Sequence, residues 1–165
     1  MPRIPFSQLP DDARLWIFPA SRSLSPQEEA DFLAAIDGFL ENWAAHGSPL
    51  VGGRDWREGR FLMVGVDEAS VPPSGCSIDS LVRVLKEKGT ALGASFLDNA
   101  PVWYRGDGKV RSVSRPRFKA LAEAGKVTSR TLVLDNSITR LGQLRGGGWE
   151  KPAGDSWHGK AFFGL

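Results

Sequence analysis

The sequence runs to 165 residues, enough for one medium domain or two very small ones, and it can bury a core without metal or disulfide staples. Hydrophobic residues make up 41% and charged residues 24%, an ordinary balance for a soluble globular protein, and 21 Lys and Arg against 19 Asp and Glu leave a net charge of +2, which does not imply a nucleic-acid partner. The single cysteine excludes an internal disulfide, and two histidines far from it show no zinc-ligand spacing, so neither a metal site nor a cofactor is expected.

Met1-Pro2-Arg3-Ile4-Pro5-Phe6 lacks the continuous apolar core of a signal peptide, and no run approaches the length of a membrane span, which makes the cytoplasm the default address. Arg14–Pro19 is a short run of strand formers closed by proline, the first predicted strand. Ser25-Pro26-Gln27-Glu28 matches a capping box, and Phe32, Ile36, Phe39, Leu40 and Trp43 then recur at helical spacing, predicting a helix that Gly47 ends. Pro49-Leu50-Val51 begins a second extended segment that turns near Trp56–Arg60 into Phe61–Val66, the most apolar run and so a central strand buried on both faces.

Pro72–Ser80 joins that strand to a second helix, in which Ile78, Leu81, Val82 and Leu85 mark the apolar face and Gly89 and Gly93 the fraying end. Ala94–Leu97 or Val102–Arg105 supplies a fourth strand. The resulting order, strand, helix, strand, strand, helix, strand, is the split βαβ arrangement of a ferredoxin-like α+β sandwich over residues 1–98. A small α+β module over residues 99–165 follows, docked on the first domain: a hairpin turn at Arg105–Lys109, a short helix from Ser114-Arg115-Pro116 to Gly125, a strand at Thr131–Leu134, and a Gly146–Gly148 connection.

The chemistry-bearing residues gather around the only cysteine. If the first and second strands run parallel with the third antiparallel between them, the connection carrying His46 shares a sheet edge with Asp67, Glu68, Ser74, Cys76, Ser77 and Asp79. A helix N-terminus favours thiolate over thiol and also holds anions, so this edge predicts a site for a small anionic ligand, or for a protein partner, at Ser74, Gly75, Cys76, Ser77 and Asp79. Thiol chemistry is the alternative, with Cys76 as nucleophile or redox group, His46 as base and Asp67 or Asp79 as the orienting carboxylate. Simpler roles compete: a small buried side chain for Cys76, a helix C-terminal cap for His46, dipole compensation for Asp79 and an N-cap for Ser77.

Leu9–Ile17, Trp43–Leu50, Ser74–Ser80 and Asp155-Ser156-Trp157 together resemble a small, uncharacterised bacterial family whose members are sometimes labelled ABC transporter ATPases. The resemblance spans nearly the whole chain and implies no mechanism. Gly154–Ala161 nearly spells a P-loop, but Ala161 stands where the magnesium-holding Ser or Thr belongs and too few residues follow Lys160, so ATP hydrolysis is not expected. Trp103–Trp157 resembles the GYF-like modules of bacterial proteins. GYF domains bind proline-rich peptides, but their Gly-Pro-Phe and Gly-Tyr-Phe signatures are missing here. An adaptor that receives a peptide on this module is a further reading, and it predicts that Trp103, Tyr104 and Trp149 are exposed. RNA binding through the sheet is disfavoured by the missing aromatic RNP motifs.

Overall fold

A computed structural model describes residues 3–165 and shows a mixed α+β protein with antiparallel sheets. The backbone falls into two compact units. One runs through Asp98 and includes Thr139–Gly142; the other comprises Asn99–Ile138 and Gln143–Leu165. No helix among the described residues is long and apolar enough to cross a membrane.

The first unit begins with β1 (Arg14–Pro19) and α1 (Pro26–Glu41). Both halves of the capping box form: Ser25 Oγ accepts the Glu28 N–H at 3.2 Å, and Glu28 accepts the Ser25 N–H at 2.8 Å. α1 buries Phe32, Ile36 and Leu40, each contributing about 1.5–3 kcal/mol relative to exposure. It stops at Glu41 with Asn42 as C-cap, earlier than the periodicity predicts. Trp43 lies beyond it, and the chain then folds into a miniature hairpin, β2 (Ala44–Ala45) and β3 (Ser48–Pro49), about a turn at His46 (φ 51°) and Gly47 (φ 79°). The pair of left-handed residues is the geometry that suits a two-residue hairpin.

β4 (Gly52–Arg57) and β5 (Phe61–Val66) complete a three-stranded sheet of order β1-β5-β4, in which β5 is antiparallel to both neighbours. All six residues of β5 are buried, as its unbroken apolar run predicts. Leu62, Val64 and Val66 meet α1 and α2 (Gly75–Leu92), while the other face holds Leu15, Ile17, Phe61 and Met63, also buried.

Two further expectations fail in this unit. Ala94–Leu97 is not a strand: Phe96 turns inward and stacks on Phe32 at 4.4 Å, and Ser95 is tied to Ser21 through backbone and hydroxyl. The outer edge of β1, where a fourth strand would lie, is met instead by Thr139–Arg140. Leu15 N–H donates to Thr139 O at 2.8 Å, and Arg14 and Arg140 form an isolated antiparallel bridge. Gly89, moreover, does not fray α2. It is buried where the chain turns back, and a Cβ there would come within 2.5 Å of the Ala94 carbonyl oxygen; the helix continues to the left-handed cap Gly93.

The second unit contains β6 (Val102–Gly106), β7 (Lys109–Val113), α3 (Arg115–Glu123), β8 (Leu132–Leu134), α4 (Leu141–Arg145, shared with the first unit), β9 (Glu150–Pro152) and α5 (Trp157–Phe162). Its sheet order is β7-β6-β8-β9, so Val102–Gly106 joins this sheet and not the first. Asp107 and Gly108, both at positive φ, close the β6–β7 hairpin, and Ser114 caps α3. The core comprises Val102, Tyr104, Phe118, Val127, Val133 and Ala153.

Candidate functional site

The two connections expected to share a sheet edge do approach one another. Asp67, just past β5, donates its N–H to Val51 O at 2.9 Å, and Trp43 Nε1 donates to Ser77 O at 2.7 Å across a buried contact. The indole thereby ties the segment before the His46 hairpin to the first turn of α2. Trp43 is 3% exposed, so this bond sits in low dielectric, where it is strong and costly to break.

The first turn of α2 is built differently from the expectation. Ser74, not Ser77, is the N-cap, and the two serines form a reciprocal box: Ser77 N–H donates to Ser74 Oγ at 3.1 Å and Ser74 N–H to Ser77 Oγ at 2.7 Å. Ser77 is buried at the third helical position. Cys76 is exposed, which overturns its reading as a core residue. No hydrogen bond reaches the N–H of Gly75 or Cys76 among the described residues, a Cβ at Gly75 would meet nothing within 4 Å, and the first turn holds no acid. Asp79 lies a turn too far along to compensate the dipole there. The turn therefore presents two unpaired donors at the positive end of an 18-residue helix.

The proposed thiol partners are not assembled around Cys76. His46 sits exposed at the hairpin tip, not in a helix C-terminal turn, and Asp67 accepts from Ala69 N–H at 3.1 Å and Ser70 Oγ at 3.3 Å, folding back on its own loop. No hydrogen bond or ion pair joins Cys76, His46, Asp67 and Asp79 to one another among the described residues. No group of three His, Cys, Asp or Glu able to hold a metal occurs among the described residues either.

A cleft of about 490 Å³ near the C-terminal half of α2 escaped the sequence reading; Ser21, Leu85, Lys86, Thr90, Ser95 and Phe96 are among its walls. Its hydroxyls are engaged internally: Ser21 Oγ accepts the Ser95 N–H and Thr90 donates to Lys86 O. The residues that form it come from a helix end and an irregular return, a pairing no local pattern announces.

The second unit holds two perturbed groups of its own. His158, 1% exposed, is pushed down to about 4 by burial, against the pull of the Asp135 carboxylate and with the nearby charges of Arg115 and Lys151, so its imidazole is neutral at neutral pH. Its Nδ1 lies 2.6 Å from Ser156 Oγ, which also caps α5 by accepting the His158 N–H. For Asp135, burial acts to raise the carboxyl, but Ser137 and Lys151 outweigh it and hold the group below the ordinary range. The P-loop-like stretch is a 3-10 turn followed by six-residue α5, with Gly159 packed so closely that a Cβ would lie 3.0 Å from Ala153 O. No open loop remains there to surround a phosphate. Trp103, Tyr104 and Trp149 are buried, contrary to the exposure an aromatic peptide platform needs.

Comparison of the chain with protein-family models, with curated proteins and with solved structures finds no match.

Proposed function

We propose that this protein is a soluble binding module that seats a small anion, or an anionic group of a partner, on the first turn of α2. The observation that carries the reading is the pair of unpaired amides at Gly75 and Cys76 in an exposed turn without an acidic side chain, held in place from beneath by Trp43. The arrangement of the first unit, with β1 and β4 flanking an antiparallel β5 and both helices on one face, supports reading it as a ferredoxin-like array whose fourth strand is reduced to the Thr139–Arg140 contact.

The test is titration of the full chain with phosphate, sulfate and acetate while following the amide resonances of Gly75 and Cys76. Saturable shifts that persist in Cys76→Ser and vanish in Cys76→Asp, which places a carboxylate where the anion would sit, support the reading. The absence of saturable shifts overturns it. Exposure of the thiol keeps thiol chemistry as a second reading. For that, Cys76 should be alkylated faster in the folded chain than in the denatured one, and more slowly in His46→Ala; a folded-state rate no faster than the denatured one and unchanged by the variant removes it.

A further inference from the structure

The net charge of +2 conceals a separation. The second unit carries eleven Lys and Arg against five Asp and Glu, so the chain's near-balance is a small difference between an acidic unit and a basic one. Within the basic unit the excess is concentrated: from Gly108 to Ala122 the chain has Lys109, Arg111, Arg115, Arg117 and Lys119 and no acid. Arg111 pairs with Asp107 at 3.6 Å. Among the described residues, Lys109, Arg115, Arg117 and Lys119 have no ion pair, and all four are exposed. Arg115 is nevertheless held in position, its guanidinium 4.9 Å from the centroid of the Trp157 ring. Two arginines in the first turn of α3 also oppose the helix dipole, a local arrangement that stability alone does not favour.

Lys109 and Arg111 lie on an open sheet edge, and Arg115 follows its last residue by two positions. β7 is the outermost strand of its sheet. The two-residue turn makes Gly106 and Lys109 a hydrogen-bonded pair, so alternation directs the N–H and C=O of Val110 and Ser112 away from β6. No backbone hydrogen bond reaches them from outside the hairpin among the described residues. Lys109 and Arg111 share a face with Val113, which packs against the Phe118 cluster of α3.

We propose that β7 is a docking edge for an extended acidic peptide segment, which adds as a fifth strand and sets its carboxylates against Lys109, Arg111 and the α3 arginines. The backbone groups of Val110 and Ser112 favour a peptide over a nucleic acid, because only another strand supplies both donors and acceptors at strand spacing. The indole of Trp157 is already stacked on His158 and carries Arg115, which leaves it poorly placed to stack on a base. Cations on an edge strand repel a second copy of the same edge and select an acidic one.

The full chain is titrated with a labelled peptide alternating Glu and Thr over about ten residues, the same peptide N-methylated at every residue so that neither edge can pair, and a single-stranded oligothymidylate of equal charge. The unmodified peptide should bind, and N-methylation should weaken it by about tenfold or more, since it keeps every charge but removes strand pairing. Arg115→Glu with Arg117→Glu should weaken it by a similar factor of about ten, and acids at these helix positions favour folding. Equal binding of the N-methylated peptide, oligothymidylate binding as tight as the peptide's, indifference to the double variant, or no binding at all each overturns the proposal.

Discussion

α1 and α2 both open on a serine whose hydroxyl accepts the N–H three residues on, but the residue that reaches back is Glu28 in α1 and Ser77 in α2. Glu28 also pairs with Arg22 through two bonds of 3.0 and 2.8 Å, and Glu29 adds a second acid to that turn. The positive end of α1 is thus answered by the protein itself. The start of α2 has the same backbone geometry with no charge to answer it, and it is fixed from below by Trp43. Identical capping geometry can therefore close one helix end and leave another open to a ligand, according to the third helical residue.

The strongest way to break this contrast is Trp43→Ala, which removes a buried indole and the bond to Ser77 O; unfolding in denaturant should show a loss of about 3–5 kcal/mol. Ser74→Ala should cost less, about 0.5–2 kcal/mol by the same measurement, since one cap acceptor is lost and the Ser77 N–H is left unpaired. Glu28→Gln makes the start of α1 resemble that of α2. The Arg22 guanidinium, with the Ser25 N–H, holds the Glu28 carboxyl down at about 2, against an ordinary 4.5. Its contribution is therefore complete above about 4.5 and disappears as pH falls toward 2, so the variant should be less stable than the parent at neutral pH and match it near pH 2. Cys76→Asp sharpens the contrast from the other side: an acid in the first turn of α2 should raise stability by about 0.3–1 kcal/mol while abolishing the amide shifts produced by anions.

How much of this was legible follows from where the information sits. The box at Ser25–Glu28 and the buried strand Phe61–Val66 are local patterns, and both are present in the structure as read. The box at Ser74–Ser77 is hidden because serine at the third position is a rarer partner than Glu or Gln, so the pattern points to Ser77 as the cap itself. The apolar spacing overextends α1 because Trp43 continues it, although that indole reaches for a carbonyl on another helix. The reading of Phe96 as a strand residue failed for a tertiary reason, its stack on Phe32. Charge separation between the units was concealed by adding the whole chain together.

The segment Thr139–Gly142 also bears on the order in which the molecule can be completed. Thr139 O and the N–H groups of Leu141 and Gly142 bond to Leu15, Ala13 and Asp11, so the first unit draws its last piece from far along the chain. A ribosome releasing this polypeptide has delivered both helices and all three strands of the first sheet long before that piece emerges. The nascent first unit must wait with the outer edge of its first strand uncovered until synthesis passes Gly142, at about 5–20 residues per second.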